Sequence, residues 1–317
     1  MERDIQEMIE FSDFIQEVTE RLPEYLPEYE IKSITKNTVN KGNGVILTGV
    51  SILCEGENIG PCIYMDDYFD QYKNGADMDR LMNDISSSYN TARITMENKQ
   101  FNINFPDMKD NIFIRVINYD MNKDMLQNCP YVKKADLAIT YRILVNRDNN
   151  GIASALIDNK VFAELDMSRE ELYAKAMENT ARLFPATIRP MGSILGEMTG
   201  VDIDELGEAP GMYVLTNESG INGAGCMFYD GTLDKAKAMI GDFYILPSSV
   251  HEVILLSKDG MDAAELQMMV QEINSTVVDE KEVLSDSVYE YDEKSKELDI
   301  VIGRDEPEQE REQDFER

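Results

Sequence analysis

The chain has 317 residues, 61 acidic and 30 basic, for a formal net charge of -31 and a hydrophobic fraction of 43%. That length bounds one large domain or two ordinary ones with sizeable cores. The charge argues against membrane surfaces and direct nucleic-acid binding, because both need cations to neutralise phosphate. It favours solubility, and it also admits an acidic nucleic-acid mimic that occupies a DNA-binding protein.

Residues 3–21 place Ile5, Met8, Ile9, Phe14, Ile15 and Val18 at helical spacing, predicting an amphipathic helix that ends before Pro23. Tyr29 to Val39 and Val45 to Leu53 flank Gly42-Asn43-Gly44 as a hairpin, and Pro61 to Tyr64 adds a short strand. Two helices follow, one from about Asp66 and one from about Asp77 with Met78, Leu81, Met82 and Ile85 on one stripe. Asp66, Asp67 and Asp70 have the spacing by which some enzymes hold magnesium on a helix face. The neighbouring hairpin does not suit an all-helical prenyl-diphosphate enzyme, and carboxylates at a helix N-terminus are favoured by the dipole alone.

A soft boundary falls near residue 101, giving an N-terminal part over 1–100, a central α+β unit over 101–210, a C-terminal α+β unit over 211–302 and a disordered acidic tail over 303–317. The central unit reads as a strand at Ile112 to Tyr119, a short helix at Asn122 to Cys129 and a hairpin of Asp136 to Asn146 with Ile152 to Ile157. A helix opened by the capping box Ser168 to Glu171 then runs to Phe184. Ile188 to Ala209 is a mixed, glycine-bearing stretch. Strands at Met212 to Thr216 and Gly223 to Tyr229, a helix at Thr232 to Ile240, strands at Phe243 to Leu246 and Val250 to Leu256, and a helix capped by Asp262-x-x-Glu265 follow. A hairpin of Val288 to Tyr291 with Leu298 to Ile302 closes the fold, whose class is α+β with mixed or antiparallel sheets and packed helices. Residues 112–184 and 223–274 share an order of strand, short helix, strand, strand, long helix. Duplication and chance both explain that order, and a difference in strand order would exclude duplication.

Cys54, Cys62, Cys129 and Cys226 are widely spaced, without CxxC, and His251 is the single histidine. No metal site and no cofactor is therefore expected, and the thiols are expected to be free in a cytoplasmic setting. No apolar run approaches the roughly 18 residues of a membrane span, and the first residues have no signal-peptide core. His251 with Ser249 is the candidate catalytic pair, on a strand where alternation turns His251 away from Glu252. Ser248, Glu252, Asn222 and Gly223 are candidate ligand contacts, the last two in the glycine-rich turn 220–225, which lacks the Rossmann and P-loop spacings. The tyrosines mark half-buried positions, because an aromatic platform for bases would want interleaved Lys or Arg.

The phrases Glu178 to Pro185 (ENTARLFP), Tyr213 to Asn217 (YVLTN), Leu246 to Val253 (LPSSVHEV) and Leu284 to Tyr289 (LSDSVY) carry a resemblance. The chain resembles a bacterial family of uncharacterised proteins, a domain of unknown function, over about Gly44 to Tyr291. The resemblance implies a bacterial cytoplasmic setting and no activity or catalytic residue. The preferred reading is a non-catalytic binding module for a protein or small ligand. A hydrolase or transferase using His251 with Ser249 or a carboxylate, and the acidic mimic, are the alternatives.

Overall fold

The computed structural model describes residues 2–57, 60–97, 104–148, 151–200, 211–258 and 262–302. It divides into two compact units, 1–103 and 104–317. The sequence expectation for residues 303–317 lies outside the described residues.

In the first unit, α1 (Glu2–Arg21) is followed by the hairpin β1 (Ile31–Gly42) and β2 (Val45–Cys54), with β3 (Cys62–Tyr64) added to β2. Asn43 (φ 51°) and Gly44 (φ 77°) supply the left-handed backbone of the turn. Helices α2 (Asp66–Lys73) and α3 (Met78–Glu97) complete the unit. One core gathers Phe14 and Val18 of α1, Ile52 of β2, Phe69 of α2 and Leu81 and Ile85 of α3. Phe14, Ile15 and Val18 of the α1 spacing and Leu81, Met82 and Ile85 of the α3 stripe are thus on the buried face. Asp66 Oδ2 accepts from the Thr48 amide at 2.8 Å, and Asp70 pairs with Lys73 at 3.0 Å. These carboxylates fasten helix to sheet and helix to itself.

The second unit opens with β4 (Ile112–Asn118), α4 (Lys123–Leu126), β5 (Tyr131–Lys134), β6 (Leu137–Asp148), β7 (Gly151–Leu156), α5 (Asn159–Glu164) and α6 (Arg169–Leu183). It continues through β8 (Ala186–Pro190), α7 (Met191–Thr199), β9 (Met212–Asn217), α8 (Thr232–Ile240), β10 (Phe243–Ser249) and β11 (Glu252–Ser257). It ends with α9 (Ala263–Thr276), β12 (Val288–Asp292) and β13 (Glu297–Ile302). The strands make an antiparallel sheet of order β4-β6-β5, with β7 also on β6, and a six-stranded antiparallel sheet β13-β12-β10-β11-β9-β8. The fold is therefore α+β, as the sequence pattern predicts.

One core is shared by the two sheets: Ile114 and Val116 of β4 and Ile139 and Tyr141 of β6 with Leu215 of β9, Ile245 of β10 and Val253 of β11. Helix α6 lies along the outer edge of β4. Its Thr180 Oγ1 accepts from the Ile114 amide at 2.9 Å, satisfying a donor that an edge strand would otherwise leave bare. The capping box of α6 forms as read, Ser168 Oγ accepting from the Glu171 amide at 3.1 Å and Glu171 from the Ser168 amide at 2.8 Å.

Several local expectations are overturned. Gly223–Phe228 is a 3-10 helix with five buried residues, not a strand. A short apolar run between turns reads alike in either form, and here it packs as a helical turn against the core shared by the two sheets. Pro247 lies inside β10, beyond the stretch at Tyr244 and Ile245 that pairs with β12, so its missing amide costs no ladder bond. The chain instead reverses at Val250-His251, and His251 stands in the turn, where strand alternation does not apply. β5 and α5 were not anticipated; both are under seven residues. Asp262 is the N-cap of α9 without a side-chain cap bond, and of that helix's apolar stripe Leu266 and Val270 are buried while Met269 and Ile273 are exposed.

The order first-third-second holds for β4, β5 and β6 and equally for β9, β10 and β11. The comparable second segment therefore starts at Met212, with β9 in the place given by sequence to 223–229.

Candidate functional site

The Val250-His251 turn is clamped from three sides. His251 Nδ1 accepts from the Asn222 amide at 3.2 Å, the Ala224 amide reaches the Val250 carbonyl at 3.3 Å, and Thr216 Oγ1 donates to the His251 carbonyl at 2.8 Å. The Val250 amide donates to the Glu282 carbonyl at 2.9 Å. His251 Nε2 lies 3.7 Å from Glu282 Oε1, with both side chains about one-third exposed. A neutral imidazole has one ring lone pair. With Nδ1 engaged by the Asn222 amide, the ring proton sits on Nε2, toward Glu282, and the lone pair a general base would use is already taken.

Ser249, the proposed nucleophile, meets the His251 backbone and not its ring: Ser249 Oγ accepts from the His251 amide at 3.0 Å. Ser248 Oγ reaches Glu252 Oε1 at 3.4 Å on its own hairpin. Asn222 adopts a left-handed conformation (φ 54°), which aims its amide at the ring. Gly223 is there for space, since a Cβ would fall 2.1 Å from Thr216 Oγ1 and 2.5 Å from the His251 carbonyl oxygen. The structure thus gathers His251, Ser249, Asn222 and Gly223 into one hydrogen-bonded knot, and pairs Ser248 with Glu252 beside it.

Arg115 and Arg142 occupy the opposite face of the β4-β6 pair from the shared core. Burial lowers both pKa values, that of Arg142 to about 10 with Arg115 adding repulsion; Glu282 acts on Arg115 in the other sense. Arg142 donates to Ser154 Oγ and to the Ser154 carbonyl, each at 2.9 Å. Glu282 thus lies beside the His251 ring and close enough to Arg115 for its charge to act on the guanidinium.

A cleft of about 460 Å³ opens elsewhere in this unit, within the size range of small-ligand sites. Met177 of α6, Met227 and Phe228 of the 3-10 helix, Leu233 of α8 and Leu298 of β13 give it an apolar lining. Among its polar groups is Asp234, whose Oδ1 accepts from Tyr291 Oη at 2.8 Å and from Lys296 Nζ at 2.7 Å. Those two donors lower the Asp234 pKa, Lys296 first, while desolvation raises that of Tyr291. Lys134 and Glu297 pair at 3.0 Å across the same cleft, and Asp230 stands exposed on its lining. Sequence reading missed this site because its residues come from six elements lying between Lys134 and Leu298.

It also missed Asp136. Its Oδ2 accepts from Ser285 Oγ (2.6 Å) and Ser287 Oγ (2.8 Å), and its Oδ1 from Tyr289 Oη (2.5 Å). All three donors are buried, and burial, reinforced by Asp136, pushes the Tyr289 phenol well above its ordinary range. The LSDSVY phrase is therefore a set of hydroxyls converging on one carboxylate. The other phrases act similarly. Asn179 donates to the Lys109 carbonyl at 2.9 Å, Arg182 to that of Asp110 at 2.6 Å, and Asn217 to that of Ile221 at 2.9 Å.

Among the described residues no group of three or more His, Cys, Asp or Glu side chains is placed to hold a metal ion. Among the described residues, too, no helix is long and apolar enough to cross a membrane.

The two sheets on a common core, with a lined cleft at their helical border, define a mixed α+β protein of antiparallel sheets. The chain belongs to the family of unknown function DUF5688, whose model matches residues 11–293. The match begins within α1, which the sequence resemblance had left outside. No curated protein and no solved structure matches the chain.

Proposed function

We propose that this protein is a non-catalytic binding module that takes a small amphipathic molecule in the cleft between α6, α8 and the β12-β13 hairpin. The observation that carries the reading is the cleft itself: about 460 Å³, with methionines, a phenylalanine and leucines along its wall and the polar groups Asp234, Tyr291, Lys296, Lys134, Glu297, Asp230 and Glu178 around them. Methionine side chains adapt their shape to a ligand at little cost. The carboxylates of Asp234 and Glu297 already have cationic partners, and Asp230 adds an exposed one, so the cleft suits a neutral or cationic ligand better than an anion. The His251 knot supports binding over catalysis, because its one basic nitrogen is held by a backbone amide. Four free cysteines fit a reducing, cytoplasmic compartment of a bacterium.

Nile red, a neutral amphipathic dye, tests the reading. Saturable, blue-shifted fluorescence is expected, and Ala181→Trp, which fills the cleft from an exposed position on α6, should weaken it about tenfold or more. Dye binding unchanged by a folded Ala181→Trp variant would reject this cleft as the site.

A further inference from the structure

We infer that a second cleft, bounded by α4, β5 and the start of α6, binds a phosphate-bearing small molecule, with phosphates on Lys123, Lys133 and Arg169 and a planar ring against Tyr119 and Tyr131. The site goes beyond the amphipathic cleft and does not depend on it. Its volume is about 1270 Å³, and its lining holds those three cations and no carboxylate. In a chain with 61 acidic and 30 basic residues, such a lining departs from the rest of the protein.

The cations and rings are already organised around one another. Lys133 Nζ lies 4.4 Å and Lys123 Nζ 5.6 Å from the centroid of the Tyr119 ring, and the Tyr119 and Tyr131 rings are 6.0 Å apart at 49°. Lys133 and Lys134 are successive residues of β5, whose side chains alternate, so Lys133 serves this cleft and Lys134 the other. The aromatic residues interleaved with lysine that sequence reading found wanting are here supplied by Tyr119, Lys123, Tyr131 and Lys133.

Asp120 and Asp158 border this charge without joining the lining of the cleft. Asp120 pairs with Lys123 at 2.7 Å, but both side chains are about half exposed, and such a pair exchanges for phosphate at little cost. Asp158 spends its carboxylate on the N-terminus of α5, accepting from the Lys160 and Val161 amides at 2.9 and 2.8 Å. Burial pushes the Cys129 thiol up to about 11, so it adds no negative charge. The overall charge of -31 is screened over about 10 Å at 0.1 M salt, so the charges that line and border the groove, the three cations and Asp120 beside Lys123 among them, weigh most on the potential within it.

Calorimetric titration of the full chain with ATP, tripolyphosphate and adenosine, each with EDTA present, tests the assignment. ATP should bind saturably, with affinity falling as salt rises. Arg169→Gln should weaken it about tenfold and the triple variant Lys123→Gln/Lys133→Gln/Arg169→Gln about a hundredfold or more. Arg169 is exposed, so its single variant remains informative should the triple variant fail to fold. Tripolyphosphate should bind more weakly than ATP, and adenosine more weakly still. Absence of ATP binding, or ATP binding unchanged in the folded variants, overturns the site; tripolyphosphate equal to ATP overturns the role of the tyrosines. Ala181→Trp should leave ATP binding unchanged, which separates this result from that for the first cleft.

Discussion

Gly223→Ala is the sharpest test of the knot around His251. The added Cβ would lie 2.1 Å from Thr216 Oγ1, 2.5 Å from the His251 carbonyl oxygen and 2.8 Å from the Asn217 nitrogen. Two of these are backbone atoms, Asn217 at the end of β9 and His251 in the clamped turn, so they cannot rotate away as a side chain can. Overpacking of this kind costs about 1–3 kcal/mol, and displacing Thr216 from its 2.8 Å bond to His251 adds about 1 kcal/mol. A total near 3 kcal/mol corresponds to a fall in Tm of about 10 °C for a unit of this size. Gly225→Ala is the control, because the atoms nearest its Cβ would be side-chain atoms of Ile114 and Val116 at 3.4–3.7 Å. It should shift Tm by about 2 °C or less. Scanning calorimetry of both variants checks the argument; equal shifts would refute the claim that close backbone approach, and not general loss of a buried glycine, fixes Gly223.

Asp136→Ala should cost about 3–5 kcal/mol in urea denaturation with an unchanged m-value, since Ser285, Ser287 and Tyr289 would be left buried without their acceptor. A loss under about 1 kcal/mol would mean that the hydroxyls find other partners. Stability should also fall at alkaline pH. Burial raises the Cys129 and Cys226 thiols from 9.0 to about 11 and about 12, and the phenol of Tyr289 well above 10.0. Groups raised in the folded state contribute fully below their unfolded pKa and lose that contribution as pH rises through the folded one, so the urea midpoint should drop above pH 9. An unchanged midpoint between pH 8 and pH 10.5 would contradict the burial of these groups. At the acid end, Asp234, Asp279 and Asp292 are lowered from 3.8, so their contribution is present above pH 3.8 and fades below it.

What the sequence determined by itself is what depends on neighbours within a few positions. The helix of residues 2–21, the turn at Asn43-Gly44, the Ser168 capping box and the closing hairpin all follow from periodicity, left-handed backbone and local side-chain bonds. The four quoted phrases were also legible as distinctive, though not as structure. Their meaning lies in partners far along the chain: Thr180 with Ile114, Thr216 with His251, and Ser285, Ser287 and Tyr289 with Asp136. Tertiary structure decided the rest. Gly223–Phe228 is a helical turn whose Ala224, Cys226 and Met227 fill the core shared by the two sheets. The turn falls at Val250-His251, residues without turn chemistry of their own, because Asn222, Ala224, Thr216 and Glu282 hold it there. Both clefts are invisible in one dimension for the same reason: their walls come from helices and strands that only packing brings together, and burial energy, summed over the whole core, outweighs the weak local preference of any short segment.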